Sequence, residues 1–239
     1  HLKVNIKVIN KMELKMKQLI LVTLLTSTLT PVAYANSSES ESSHSAVSDN
    51  VIAEQRVMLN SNTSGLGYGP QSPRDIDSVN GSNGIIFGLS PVSTQMNLCN
   101  IHFHKNAEHK GGEFTQFAGN GDGHGYQSGY KYTGKFTKNE LKPYNHQIGE
   151  SEHGSLYPGD TIEVHYVYST AQVTPGPSLG ACLTKENANP QLRVETQVYA
   201  LVNDKKAQSF LFLTAVDTIN ERPQAPNIPT NTGTPVEYI

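Results

Sequence analysis

Residues 98–105 read LCNIHFHK and residues 161–169 read TIEVHYVYS, and these two stretches decide the fold. Successive side chains of a β-strand point to opposite faces. In the first stretch His102 and His104 therefore share one face, while Ile101 and Phe103 share the other. The second stretch alternates the same way, with Glu163, His165 and Val167 on one face and Val164, Tyr166 and Tyr168 on the other. If the two strands pair, three neutral imidazoles converge on one ion and leave a fourth position open to water. That is the arrangement of a catalytic rather than a structural zinc site, and it points to hydrolytic or hydration chemistry.

Outward from this pair, the segments GIIFGL, GEFTQFA, GYKYTGKF, LRVETQVYALV and SFLFLTAV read as further strands, each bounded by Gly, Pro, Asn or Asp. Helical periodicity is weak throughout. With 20 Gly and 13 Pro in 239 residues, 36% of them hydrophobic and 16% charged, the composition is that of a turn-rich β protein long enough for one sizeable core. The expected fold is mainly β, a β-rich α+β single domain around a largely antiparallel sheet that carries the three-His site. Pro158-Gly159-Asp160 reads as the turn that launches the second strand. GNGDGHGYQSG, residues 119–129, is too rich in glycine for a regular element and reads as a loop free to approach the site; its one Asp offers too few ligands for calcium. The C-terminal INERPQAPNIPTNTGTPVEYI has proline too often for a sheet interior and is expected to lie over the surface or fray.

Read from Met12 or Met16, MKQLILVTLLTSTLTPVAYA has a basic start, an apolar run and an Ala33-Tyr34-Ala35 ending, the pattern of a secretory signal cut after Ala35. The expected organisation is an upstream extension plus signal at 1–35, a Ser-rich flexible linker at 36–50, and a catalytic domain at 51–239 whose first part, to Ser82, is irregular chain. Residues before Met12 are read as carrying no fold information. This makes an exported protein, periplasmic or secreted, with no stable membrane span after cleavage. In that compartment the two cysteines, Cys99 and Cys182, are expected to form a disulfide. If 98–105 is one regular strand, Cys99 lies with Ile101 and Phe103, behind the histidine face. The net charge of -3 and the scattered Lys and Arg give no basic stripe, so a small-molecule substrate is expected and no nucleic acid.

CNIHFHKNAEHKGGEF and IEVHYVY resemble the delta-class carbonic anhydrases, over about residues 99–168. The Cys, the two His one residue apart, the Glu-His pair and the later Glu-x-His fall in the family's order, which also resembles that of the alpha class. The resemblance implies that His102, His104 and His165 are metal ligands, that Glu163 orients a ligand or its neighbour, and that Glu108 acts through the hydroxyl that gates the metal-bound water. It implies reversible hydration of carbon dioxide to bicarbonate and a proton by a metal-bound hydroxide. The ion is expected to be Zn2+, replaceable by Co2+ or Cd2+. Candidates for the gating hydroxyl are Ser178, Thr174 and Thr184, in or beside PGPSLGACLT; those for a proton shuttle are His124, His146 and His153.

The residues also have readings of their own. Glu163, buried beside a ligand on the same face, would be costly unless it received a hydrogen bond, so a role as acceptor is favoured. Glu108 is a solvated loop carboxylate or an acceptor that fixes a His or hydroxyl proton. His109 is a fourth imidazole, an exposed neighbour of Lys110, or a partner of Glu163, the last being favoured. Glu108, Glu163 and His109 thus form the expected catalytic group. Tyr126, Tyr130, Tyr132, Tyr166 and Tyr168 read as sheet-packing residues with wet hydroxyls. A second enzyme class stays open: His102-x-His104-x-x-x-Glu108 and the Pro158-Gly159-Asp160 turn also fit a cupin-type dioxygenase or isomerase, with Glu108 a direct ligand of iron or manganese. A third reading is a periplasmic zinc-binding protein without catalysis, though a His-rich or acidic loading loop is missing.

Overall fold

The computed structural model describes residues 5–7, 46–65, 89–151 and 153–230. The expected signal at 12–35, the GIIFGL strand, the glycine- and proline-rich chain from Leu66 to Ser82 and the last nine residues of the tail lie outside the described residues. The elements begin with β1 (Asn5–Lys7), α1 (Asp49–Thr63), β2 (Asn97–Lys105), β3 (Phe114–Gly119) and β4 (Gly129–Tyr132). They continue with β5 (Ile148–Ser151), β6 (Gly154–Leu156), β7 (Thr161–Ser169) and β8 (Leu192–Leu201). Last come β9 (Gln208–Ser209), α2 (Phe210–Leu213), β10 (Asp217–Ile219) and β11 (Arg222–Gln224).

The fold is mainly β. A five-stranded antiparallel sheet runs in the order β2-β7-β8-β1-β9, and β3-β4, β5-β6 and β10-β11 form three hairpins around it. β7 lies between β2 and β8, so both of its edges are hydrogen-bonded, and every residue in it except His165 is buried. Its Ile162, Val164, Tyr166 and Tyr168 face the main core with Leu98, Tyr199 and Leu201; Ile148, Leu156, Leu213 and Ala225 close that core from the hairpins and α2. Each fully buried aliphatic side chain here contributes roughly 1.5–3 kcal/mol, so the core face is what holds the sheet's register. Tyr166 and Tyr168 pack as expected, but their hydroxyls are not wet: both residues are essentially buried, and Tyr166 donates to the Leu213 carbonyl at 3.1 Å.

The regular-strand reading of 98–105 fails at one residue. Leu98 pairs with Tyr168 and Asn100 with Val167, so Cys99 is the extra residue of a β-bulge. The bulge inverts the alternation, leaving Leu98 on the core face and Asn100 on the histidine face. Cys99 packs with Val167 and Cys182, beside the histidine row rather than behind it. The expected Cys99–Cys182 disulfide is present.

Other expectations are corrected by local chemistry. DNVIAEQRVMLNSNT forms the exposed helix α1 instead of irregular chain; Ala, Glu, Gln, Arg, Met and Leu are good helix formers even without an apolar stripe. Asn5–Lys7 pairs with Ala200–Leu201 on one side and Gln208–Ser209 on the other, so the segment before Met12 does carry fold information. SFLFLTAV turns into α2 after Ser209, closed by the Thr214 hydroxyl donating to the Phe210 carbonyl, because a short apolar run does not by itself distinguish strand from helix. Residues 217–224 form a hairpin whose turn, Asn220-Glu221, has φ of 50° and 62°, the pattern of a tight two-residue hairpin turn. Pro223 is tolerated there because that sheet has only two strands, and Gln224 donates to the Met96 carbonyl at 2.7 Å, so this part of the tail is docked rather than frayed. The glycine loop is not free either. Gln55 donates to Gly123, Val47 donates to Gly121, and Asn120 reaches back to Val47, so α1 and the chain before it hold the loop.

Candidate metal centre

The ladder lines up three rows across β2, β7 and β8. His102 opposes His165, which opposes Thr196; His104 opposes Glu163, which opposes Val198; Asn100 opposes Val167, which opposes Val194. Directly opposed residues share a face, so these nine side chains make one surface. The ring centroids of His102, His104 and His165 lie 5.3, 5.0 and 5.1 Å apart, nearly an equilateral triangle. The nitrogens that the three rings offer all lie within 4.8 Å of one another.

Hydrogen bonds fix which nitrogens those are. Glu163 is 2% exposed, and a buried carboxylate must be well satisfied. One oxygen accepts from Nε2 of His165 at 2.8 Å and the other from the backbone N–H of Glu108 at 2.7 Å. The carboxylate only accepts, so Nε2 of His165 carries a proton and Nδ1 faces the triangle. Asn100 donates through Nδ2 to the Gly176 carbonyl at 2.8 Å, which leaves its oxygen to accept from Nδ1 of His102 at 2.6 Å. Nε2 of His102 therefore also faces the triangle. The two nitrogens stand 3.3 Å apart.

Two inward lone pairs at that distance repel unless a cation or a proton lies between them. Nitrogens at about 2.0–2.1 Å from a tetrahedral ion are ~3.3–3.4 Å apart, so the donor set fits an ion such as zinc. Without an ion a proton takes its place, and the two rings are biased in opposite directions. Burial and then the neighbouring charges of His165 and His104 lower the pKa of His102. Burial also pulls His165 down, but the hydrogen bond and charge of Glu163, with the charge of Glu108, outweigh it and raise His165.

The chain after β2 delivers the remaining groups. Asn106 leaves the strand at φ 70°, Ala107 and Tyr130 exchange two backbone hydrogen bonds of 2.8 Å, and the next N–H, that of Glu108, is aimed at Glu163. Gly129 makes this approach possible: a Cβ there would stand 2.2 Å from the Ala107 oxygen. The Glu108 carboxylate, 44% exposed, lies 3.8 Å from Nε2 of His104 and 4.0 Å from Nε2 of His165. Glu108, His109 and Glu163 form a second group with one donor atom each within 4.8 Å, which brings His109 near Glu163.

The gating and shuttle candidates sit in other groupings. Thr174 and Thr184 line a cleft between the 172–184 loop and β10-β11, and the Thr184 hydroxyl accepts from Asn187. Ser178 precedes a short 3-10 turn, Leu179–Cys182. His124 lies in the turn closed by Asp122, whose carboxyl is held below its ordinary range by the backbone N–H groups of His124 and Tyr126. His153 stacks on Tyr126 and His146 contacts Asn145 and Tyr144. Sequence reasoning missed Asn100, which shares the parity of His102 and His104, and the β8 row Val194, Thr196 and Val198, which only the register reveals.

A family model described as delta carbonic anhydrase matches residues 93–239, more than half of the chain and all of the surface just described. No curated protein and no solved structure matches the chain.

Proposed function

The chain belongs to the delta carbonic anhydrase family, and from that premise we propose that it catalyses the reversible hydration of carbon dioxide to bicarbonate and a proton, using zinc held by His102, His104 and His165. The observation that carries this reading is the pair of inward nitrogens, Nδ1 of His165 and Nε2 of His102, at 3.3 Å within the imidazole triangle. When bound, such an ion would lower the pKa of a water to about 7, so that a strong nucleophile is available at neutral pH.

The protein's own residues do the rest. Glu163 holds His165 in the tautomer that presents Nδ1, and Asn100 holds His102 in the tautomer that presents Nε2. Glu108, half-exposed beside His104, would accept a hydrogen bond from a hydroxyl group at the mouth of the site and hold its orientation. Val194 and Val198, on the strand next to His165, provide apolar surface on the same face for a small apolar substrate, while Val167 is buried against Cys99 and Cys182. His109 acts on Glu163 rather than on substrate. A buried disulfide is characteristic of chains outside the cytoplasm, and among the described residues no helix is long and apolar enough to cross a membrane. Export with cleavage after Ala35 fits this.

Stopped-flow carbon dioxide hydration, before and after stripping by a chelator, tests the proposal. Hydration should disappear with the metal and return with one equivalent of zinc. Restoration by iron or manganese but not by zinc would speak instead for the cupin-type reading.

A further inference from the structure

We infer that Asn100 is a positioning residue that couples the Cys99–Cys182 disulfide to the metal-holding nitrogen of His102, a role that rests on the three imidazoles being ligands. Asn100 is 2% exposed and both ends of its amide are engaged. Its oxygen accepts from Nδ1 of His102 at 2.6 Å and its nitrogen donates to the Gly176 carbonyl at 2.8 Å. The Gly176 N–H in turn donates to the Cys99 carbonyl at 3.0 Å. The loop from Ala171 to Cys182 is thus tied to β2 at several points: Asn97 donates to the Ala171 carbonyl, the Ser169 hydroxyl donates to the Cys182 carbonyl, and the disulfide joins Cys182 to Cys99.

The consequence lies in the amide's direction. An amide rotated by half a turn presents a donor where it had an acceptor. Facing Nδ1 of His102 with its NH2 group, Asn100 would draw the imidazole proton to Nε2, the nitrogen that must hold the ion. The Gly176 carbonyl prevents this, because it accepts only from the amide nitrogen. The disulfide holds that carbonyl in place through the short loop between Gly176 and Cys182. The β-bulge completes the arrangement by bringing Cys99 beside Val167, the residue opposite Asn100. The disulfide then sets metal affinity as well as stability.

The test compares four chains by zinc affinity, read through competition with a chromogenic chelator, with circular dichroism to establish folding. They are wild type, Asn100→Ala, Cys99→Ser with Cys182→Ser, and the combination. Asn100→Ala should weaken zinc binding by about 10–100-fold, the usual cost of losing a partner behind a ligand. Removing the disulfide should weaken it several-fold, and the combination should be no weaker than Asn100→Ala alone, because one route carries both effects. Asn100→Asp keeps the acceptor but loses the donor to Gly176; it should retain most of the affinity and no longer respond to loss of the disulfide. Nitrogen NMR of the metal-free protein should find the His102 proton on Nδ1 in wild type and largely on Nε2 in Asn100→Ala. Should the double serine chain fail to fold, phosphine reduction of wild type replaces it: zinc should slow reduction, and Asn100→Ala should abolish that protection even when saturated with zinc. Losses that multiply in the combined chain, or an Asn100→Ala affinity within twofold of a zinc-binding wild type, overturn the coupling alone. A wild type that holds no zinc removes the ligand reading and this role with it.

Discussion

At the scale of single residues, the opposed biases of His102 and His165 make a pH prediction with a definite sign. A metal held by the triangle would need Nδ1 of His165 without a proton, and Glu163 raises that ring's pKa above its ordinary 6.5 against the pull of burial. Zinc affinity should therefore fall as pH drops through the His165 pKa, starting above 6.5, and fall more steeply only further down, where the lowered His102 titrates. In the metal-free protein the same shifts give stability terms of opposite sense. The His165 term is present below 6.5 and lost as pH rises through its raised value, while the His102 term is present above 6.5 and lost as pH falls. Glu163→Gln should move the onset of zinc loss to lower pH and weaken binding at high pH by about 10–100-fold, as isothermal titration at several pH values would read. An unchanged onset would contradict the assignment of Glu163. Glu108→Gln should keep its zinc and slow hydration by about 10–100-fold, because its carboxylate is at the mouth. Metal loss in that variant would favour a ligand role instead.

At the scale of elements, the two strands that carry the site were legible because β7 is regular from end to end and β2 is regular from Asn100 onward. The alternation of His102, His104, Glu163 and His165 therefore translated directly into one face. What alternation could not show was the bulge, which no residue type marks; it put Cys99 beside the site and Leu98 on the core face. Short elements were the other blind spot. α2 is four residues and β1 three, below the length at which periodicity means much. The approach of β4 to the chain after β2 is a testable element-level claim. Gly129 has φ 108°, and a Cβ on it would meet the Ala107 oxygen at 2.2 Å. Gly129→Ala should destabilise the fold by about 1–3 kcal/mol and weaken zinc binding, since the displaced backbone carries the N–H that Glu108 gives to Glu163. Chemical denaturation read beside zinc affinity checks both; a stable variant with normal affinity would refute this path.

At the scale of the whole molecule, one face of the sheet packs on the core and the other carries the three imidazoles. This division explains why β7 tolerates a buried carboxylate: Tyr166, Val164 and Ile162 hold the strand from behind while Glu163 spends its oxygens on His165 and Glu108. The disulfide closes a separation of 83 residues and in the chain-entropy model contributes about 4 kcal/mol. Reduction should lower the thermal midpoint clearly, and a midpoint unmoved by a strong reductant would deny the bond that role. Fold class, the histidine-bearing strands and the disulfide were thus readable from sequence, whereas the positions of the hydroxyl and shuttle candidates depend on where loops go. Thr174, Thr184 and His153 belong to other groupings, and the hydroxyl in the histidine row is that of Thr196.

If three imidazoles on one sheet face hold one ion that hydrates carbon dioxide, then zinc stoichiometry measured together with hydration rate in His102→Ala, His104→Ala and His165→Ala is the decisive measurement. Each substitution removes one corner of the triangle while leaving the core face untouched. Wild type should hold one zinc per chain, and each folded variant should lose most of that zinc and nearly all of the hydration activity. Stoichiometric zinc and wild-type hydration in all three variants would contradict it.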